Sequence, residues 1–192
     1  FYDAQRGKIF LGVNYPGQVA HLASLDLQSG SLRKLCDVKG PALYYVCSLA
    51  YDADQGILFY TTDNNAWRDL RQVQVDSGRS RLLIKDGRIG DLAFNRRDRS
   101  LWGIRHYNGI STIVRIEPPY RQWKQVYSWP YGKDIYDVAI SPDGRLMTAA
   151  LTEISGRQSL IKIDLEKLSV DKAPYTTVSD FENSSPANFV FS

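Results

Sequence analysis

Asp137-Val-Ala-Ile-Ser-Pro-Asp-Gly-Arg-Leu-Met147 reads as a short apolar strand, a tight turn over Ser-Pro-Asp-Gly, and a second apolar strand. Proline presets the backbone dihedral needed at the second position of such a turn, and glycine takes the conformation that closes it. A hairpin of this kind is too small to bury its own apolar face, so the rest of the chain must supply covering layers.

Looser copies of the hairpin supply them. Ala50-Tyr-Asp-Ala-Asp-Gln-Gly-Ile-Leu-Phe59 is matched by Phe1-Tyr-Asp-Ala-Gln-Arg-Gly-Lys-Ile-Phe10. The pattern restarts at Leu92-Ala-Phe-Asn-Arg-Arg-Asp-Arg-Ser-Leu-Trp102, at Val138-Ala-Ile-Ser141 and at Phe189-Val-Phe-Ser192. A period of roughly 40 to 50 residues built only from strands is the signature of propeller blades. The repeats run approximately 1–48, 49–91, 92–137 and 138–188, with a further unit opening at 189–192.

Each repeat reads as four strands. In the third they fall at 92–95, 100–106, 111–117 and 123–129. Third strands are expected at 21–27, 69–75 and 159–165 in the other units, and fourth strands at 32–38, 81–85 and 170–178. Gln28-Ser-Gly30 and Asp76-Ser-Gly78 supply hairpin turns. No apolar period of 3.6 persists along the chain, which predicts little or no helix. The fold class is all-β: four four-stranded antiparallel propeller blades plus the first strand of a fifth.

Bulk composition agrees with a globular chain. Hydrophobic residues make up 43% and charged residues 23% of the 192, and the twelve Tyr and four Trp suit pleated surfaces. A net charge of +3, from 24 basic and 21 acidic residues, is too small and dispersed for a nucleic-acid surface. No apolar run reaches the ~20 residues of a membrane-spanning helix. Cys36 and Cys47 are too few for a disulfide framework or a metal site; they are either one disulfide or two small hydrophobes.

Ile140-Ser-Pro-Asp-Gly-Arg-Leu146, followed by Ser159-Leu-Ile-Lys-Ile-Asp-Leu165, resembles the WD40-like (PD40-type) repeat of TolB-like propellers. The same repeat builds the propeller of prolyl-oligopeptidase-type peptidases. The likeness is sharp in the fourth unit; the others carry Asp3-Ala-Gln-Arg-Gly7, Asp52-Ala-Asp-Gln-Gly56 and Asn95-Arg-Arg-Asp-Arg99 where Pro-Asp-Gly would stand. It implies a propeller of six to eight blades, of which this chain is a piece, in the periplasm or cell envelope. A four-bladed ring closed by 189–192 pairing back into the first unit is the alternative. Open blade edges would favour self-association.

Candidate binding residues follow from the repeat. The position before each first strand is Ser48, Asp91, Asp137 and Asn188, polar in every copy. In a propeller these would ring the channel mouth and hold a cation or a cationic peptide end. The competing reading is that they hydrogen-bond nearby backbone and shape the start of the strand. Tyr44, Tyr45, Arg88, Lys133, Asp134 and Tyr136 are expected in loops feeding the same mouth, where Tyr and Arg suit a protein or peptide partner. Trp67 is expected in a loop between second and third strands, and Trp102, Trp123 and Trp129 in packing between blades. The two histidines, His21 and His106, form no evident triad, and neither a Gly-x-Ser-x-Gly elbow nor a His-Glu-x-x-His motif occurs. The expectation is a non-catalytic binding platform without a cofactor. The alternative is the substrate-gating propeller of a serine peptidase.

Overall fold

The computed structural model describes residues 1–38, 45–63, 68–181, 184, 186–187 and 191. Four antiparallel sheets follow one another, each a meander of four strands in chain order. The first holds β1 (Tyr2–Asp3), β2 (Lys8–Val13), β3 (His21–Asp26) and β4 (Leu32–Asp37). The second holds β5 (Tyr45–Asp52), β6 (Ile57–Asp63), β7 (Arg68–Gln74) and β8 (Ser80–Ile84). In the third are β9 (Ile89–Asn95), β10 (Ser100–Tyr107), β11 (Ile110–Ile116) and β12 (Lys124–Ser128). The fourth contains β13 (Lys133–Ile140), β14 (Leu146–Glu153), β15 (Gln158–Asp164) and β16 (Tyr175–Phe181). No helix occurs among the described residues, so none there is long and apolar enough to cross a membrane.

Two compact units divide the chain, Phe1–Gly87 and Arg88–Ser192. Each holds two sheets packed over an apolar core. In the first unit Phe10 and Leu22 of one sheet meet Tyr51, Leu58, Tyr60 and Val73 of the other. In the second, Trp102, Ile104 and Ile113 pack against Ile135, Ala149, Leu151, Ile161 and Ile163. The period-two alternation of β14 and β15 puts Met147, Ala149 and Leu151, then Ile161 and Ile163, on the covered face. Each fully buried Leu or Ile contributes about 1.5–3 kcal/mol. The last strand of each sheet is much less covered, and β16 is exposed along most of its length.

The Ser-Pro-Asp-Gly turn forms as its residues dictate. Gly144 N–H donates to the Ser141 carbonyl at 2.8 Å, and the Ser141 hydroxyl donates to Asp143 at 2.6 Å while accepting Leu146 N–H at 3.0 Å. Gly144 sits at φ +72°, which only glycine takes without strain. Its carbonyl accepts the buried side-chain amide of Asn95 at 3.0 Å, so the turn of the fourth sheet is fastened to the end of β9.

Several expectations need correcting. The last strand is Tyr175–Phe181, not 170–178, because Pro174 has no N–H to donate to a ladder; residues 169–172 instead form a separate bridge between Ser169 and Lys172. Trp102 and Trp129 do lie in the core, but Trp123 precedes β12, where the Arg105 guanidinium stands 5.0 Å from its ring centroid. Cys36 is half-buried and Cys47 exposed, and no disulfide joins them. Trp67 and residues 189, 190 and 192 lie outside the described residues.

Candidate functional site

First strands begin earlier than the repeat pattern suggests, and the reason is a β-bulge. Across β9 and β10, Ala93 pairs with Trp102 and Gly90 with Ile104, leaving Asp91 and Leu92 opposite Gly103. Across β13 and β14, Tyr136 pairs with Ala150 and Ala139 with Thr148, leaving Asp137 and Val138 opposite Ala149. Asp91 and Asp137 take φ of +47° and +50°. Aspartate tolerates that region better than most residues, and a bulge there re-aims the side chain. In β5 the irregularity falls between Val46 and Ser48. Ser48, Asp91 and Asp137 therefore lie within strands rather than before them. Tyr45, Lys133, Asp134 and Tyr136 are strand residues too, and Arg88 alone of the described loop candidates directly precedes its strand. Asn188 and Tyr44 lie outside the described residues, as does the side chain of Tyr45.

Ser48 belongs to the first unit, opposite Thr61. The other described candidates lie in the second unit, where the two bulges meet: Asp91 Oδ1 accepts Asp137 N–H at 3.2 Å. That bond is the backbone-shaping role open to these residues. The second carboxylate oxygen of Asp91 faces His106 Nε2 at 3.4 Å. On its other side, His106 Nδ1 lies 3.2 Å from Ser111 Oγ and 3.4 Å from Asp134 Oδ1. Ser111 donates a hydrogen bond to the same Asp134 oxygen, and Ile135 N–H reaches Ser111 Oγ at 3.4 Å. One imidazole thus stands between two carboxylates from different sheets.

Ser111, His106 and Asp91 have the composition of a hydrolase triad, but their arrangement is different. The Ser111 proton goes to Asp134, its oxygen accepts a backbone N–H, and the residue is only 2% exposed. A nucleophile needs its proton aimed at the base and its oxygen open to substrate. Here the serine is a hydrogen-bond bridge between sheets. Among the described residues, no three His, Cys, Asp or Glu side chains converge as metal ligands.

Beside this cluster opens a cavity of about 460 Å³ between the third and fourth sheets. Lys133, Asp134, His106, Ser111 and Glu153 supply its polar wall. Lys133 Nζ lies 3.0 Å from Glu153 and donates to the Tyr175 hydroxyl at 3.3 Å. The Glu153 carboxylate first, and Tyr175 second, hold the Lys133 ammonium above its ordinary range. Tyr131 and Ile154 form an apolar rim, 77% and 83% exposed. Of the other candidates, Tyr136 is tied into its sheet, donating to Gln158 and accepting from Thr152. Arg88 stands over the Tyr107 ring at 5.6 Å.

Sequence reasoning missed His106, Ser111, Tyr131, Glu153 and Ile154 as neighbours. All five sit near strand ends or in turns, spread over the third and fourth repeats, and nothing in the repeat pattern marks them. The exposed Tyr131-Gly132 pair after Pro130 is the one local signal, since an aromatic in a turn has no covering layer of its own.

The arrangement defines the class of fold: each four-stranded antiparallel meander is built as a β-propeller blade. No protein-family model matches the sequence, and no curated protein matches it. Among solved structures the chain is similar to TolB from Acinetobacter baumannii, at 12% identity and a TM-score of 0.72 over 94% of this chain and 43% of that one. It is also similar to an auxiliary nutrient binding protein from Bacteroides thetaiotaomicron, at 12% identity and a TM-score of 0.67 over 97% of this chain and 42% of that one. A structure from an analysis of two prolyl endopeptidases matches at 18% identity and a TM-score of 0.64, over 90% of this chain and 27% of that one. The chain spans less than half the length of each of these three.

Proposed function

We propose that this chain is a propeller segment of a larger bacterial cell-envelope protein and acts as a non-catalytic platform for a protein or peptide partner. The observation that carries this reading is the pair of exposed apolar side chains, Tyr131 and Ile154, at the rim of a polar-walled cavity. Both residues sit in turns that adjoin β13 and β14, so a partner would meet a surface anchored on strands at small ordering cost. A periplasmic or envelope location is part of the proposal and derives from the TolB-like repeat. A second reading, the substrate-gating propeller of a serine peptidase, draws support from the fold likeness to prolyl endopeptidases.

Two measurements separate them. A photo-crosslinking residue at position 131 of the full-length protein, in its native envelope, is expected to give one discrete adduct, which Ile154→Asp abolishes. No adduct at 131 would remove the platform reading at this surface. A Gly-x-Ser-x-Gly hydrolase segment elsewhere in the full-length gene product would move the assignment to the peptidase.

A further inference from the structure

We propose that the cavity between the third and fourth sheets receives a basic side chain, lysine or arginine, from the partner, with Asp134 as its counter-ion. This rests on the binding-platform reading and names the chemistry the surface selects.

Charge accounting around the cavity leads there. Lys133 and Glu153 neutralise one another at 3.0 Å. That leaves Asp134, whose side chain is 60% exposed and whose close neighbours are a hydroxyl and an imidazole. Among the described residues lining the cavity, no lysine or arginine other than Lys133 is present to balance Asp134. The nearby Arg105 is directed elsewhere, over the rings of Tyr107 and Trp123 at 4.5 and 5.0 Å. Behind His106 stands a second carboxylate, Asp91, which adds to the negative potential.

The rim suits the rest of such a side chain. A Cβ on Gly109 would lie 3.4 Å from the Tyr131 ring, and a Cβ on Gly132 would lie 3.5 Å from Ile154. Tyr131 therefore lies beside Gly109 and Ile154 beside Gly132, where the glycines leave room for them at the opening. An aliphatic stem passing between them keeps its methylene groups out of water while its charged end reaches Asp134, and the Tyr131 face favours a nearby cation.

His106 faces Asp91 from β9, Asp134 from β13 and Ser111 from β11.

The test is an NMR titration of the 192-residue chain with blocked lysine, arginine, norleucine and glutamate amides, up to tens of millimolar. Lysine and arginine are expected to shift the amides of Gly109, Tyr131, Asp134 and Ile154 and to saturate; norleucine and glutamate are not. Asp134→Asn should weaken binding about two- to fivefold, the range of an exposed ion pair, while core resonances such as those of Ile104 and Ile161 stay in place. Equal shifts from norleucine, no shifts from any amide, or an unchanged affinity in Asp134→Asn would each overturn the proposal. Because the probes are single amino acids, such a failure alongside a retained crosslink at position 131 would sink the basic-side-chain assignment alone. Loss of the crosslink would sink the platform reading itself.

Discussion

The Tyr51 hydroxyl donates a 2.5 Å hydrogen bond to Asp3, 48 residues earlier, and joins the two sheets of the first unit. Arg6 completes the contact, reaching Asp3 at 2.8 Å, the Tyr51 oxygen at 3.2 Å and the Ala53 carbonyl at 3.2 Å. Asp3 and Tyr51 are buried, so removing a partner strands a polar group away from water. Tyr51→Phe is expected to cost about 1–3 kcal/mol in denaturant unfolding, since the bond is to a charged acceptor. A loss below about 0.5 kcal/mol would mean the aromatic ring alone holds the junction.

Acid should weaken the same junction. Burial by itself pushes the Asp3 carboxyl up, but hydrogen bonds from Tyr51 and Arg6 outweigh it and hold the group below the ordinary 3.8. A carboxyl depressed on folding adds stability at pH values above its unfolded value, and that stability disappears as pH falls from about 4 through the lower folded value. Asp3→Asn is therefore expected to be less stable at neutral pH yet to lose less on acidification. Thermal melts from pH 7 to pH 2 would show it; parallel curves for both proteins would contradict the assignment.

Gly144→Ala should destabilise the fourth sheet by about 1–3 kcal/mol. The residue sits at φ +72°, and a Cβ there would lie 2.8 Å from the Arg97 Cβ and run into the Asn95 amide. Asn95→Ala removes part of the obstruction and the bond to the Gly144 carbonyl together, so the two changes should not add. Unfolding free energies for the two single variants and the double variant would reveal the coupling; strict additivity would show that the turn and β9 are independent.

Ile161→Ala is expected to cost about 2–5 kcal/mol, because its side chain is fully buried where the third and fourth sheets meet. Val178→Ala, on the exposed β16, should stay within about 0.5 kcal/mol. Similar losses at both sites would place the stability outside the inter-sheet core.

Tyr131→Ala combined with Ile154→Ala should leave the unfolding midpoint nearly unchanged while abolishing partner capture. Both side chains are mostly in water in the isolated chain. A large stability loss would identify them as packing residues instead.

Much of the fold could be read locally. β10, expected at 100–106, is Ser100–Tyr107; β3, expected at 21–27, is His21–Asp26. Alternation and turn chemistry act between near neighbours in the chain, so they show in the sequence. The last strand slipped because a proline displaced the pairing by several residues. The starts of β9 and β13 were placed too late because a bulge breaks the period-two pattern that marks a strand.

Sequence alone determined the repeating strand-turn-strand unit and the four meanders, since each follows from short-range periodicity and turn stereochemistry. Tertiary structure decided the site. Asp91, His106, Ser111 and Asp134 come from β9, β10, β11 and β13, and they meet only because two bulges turn their strands and the third and fourth sheets pack together. That meeting depends on cross-strand register and inter-sheet packing, forces that act between residues far apart in the chain and leave no mark on its local pattern.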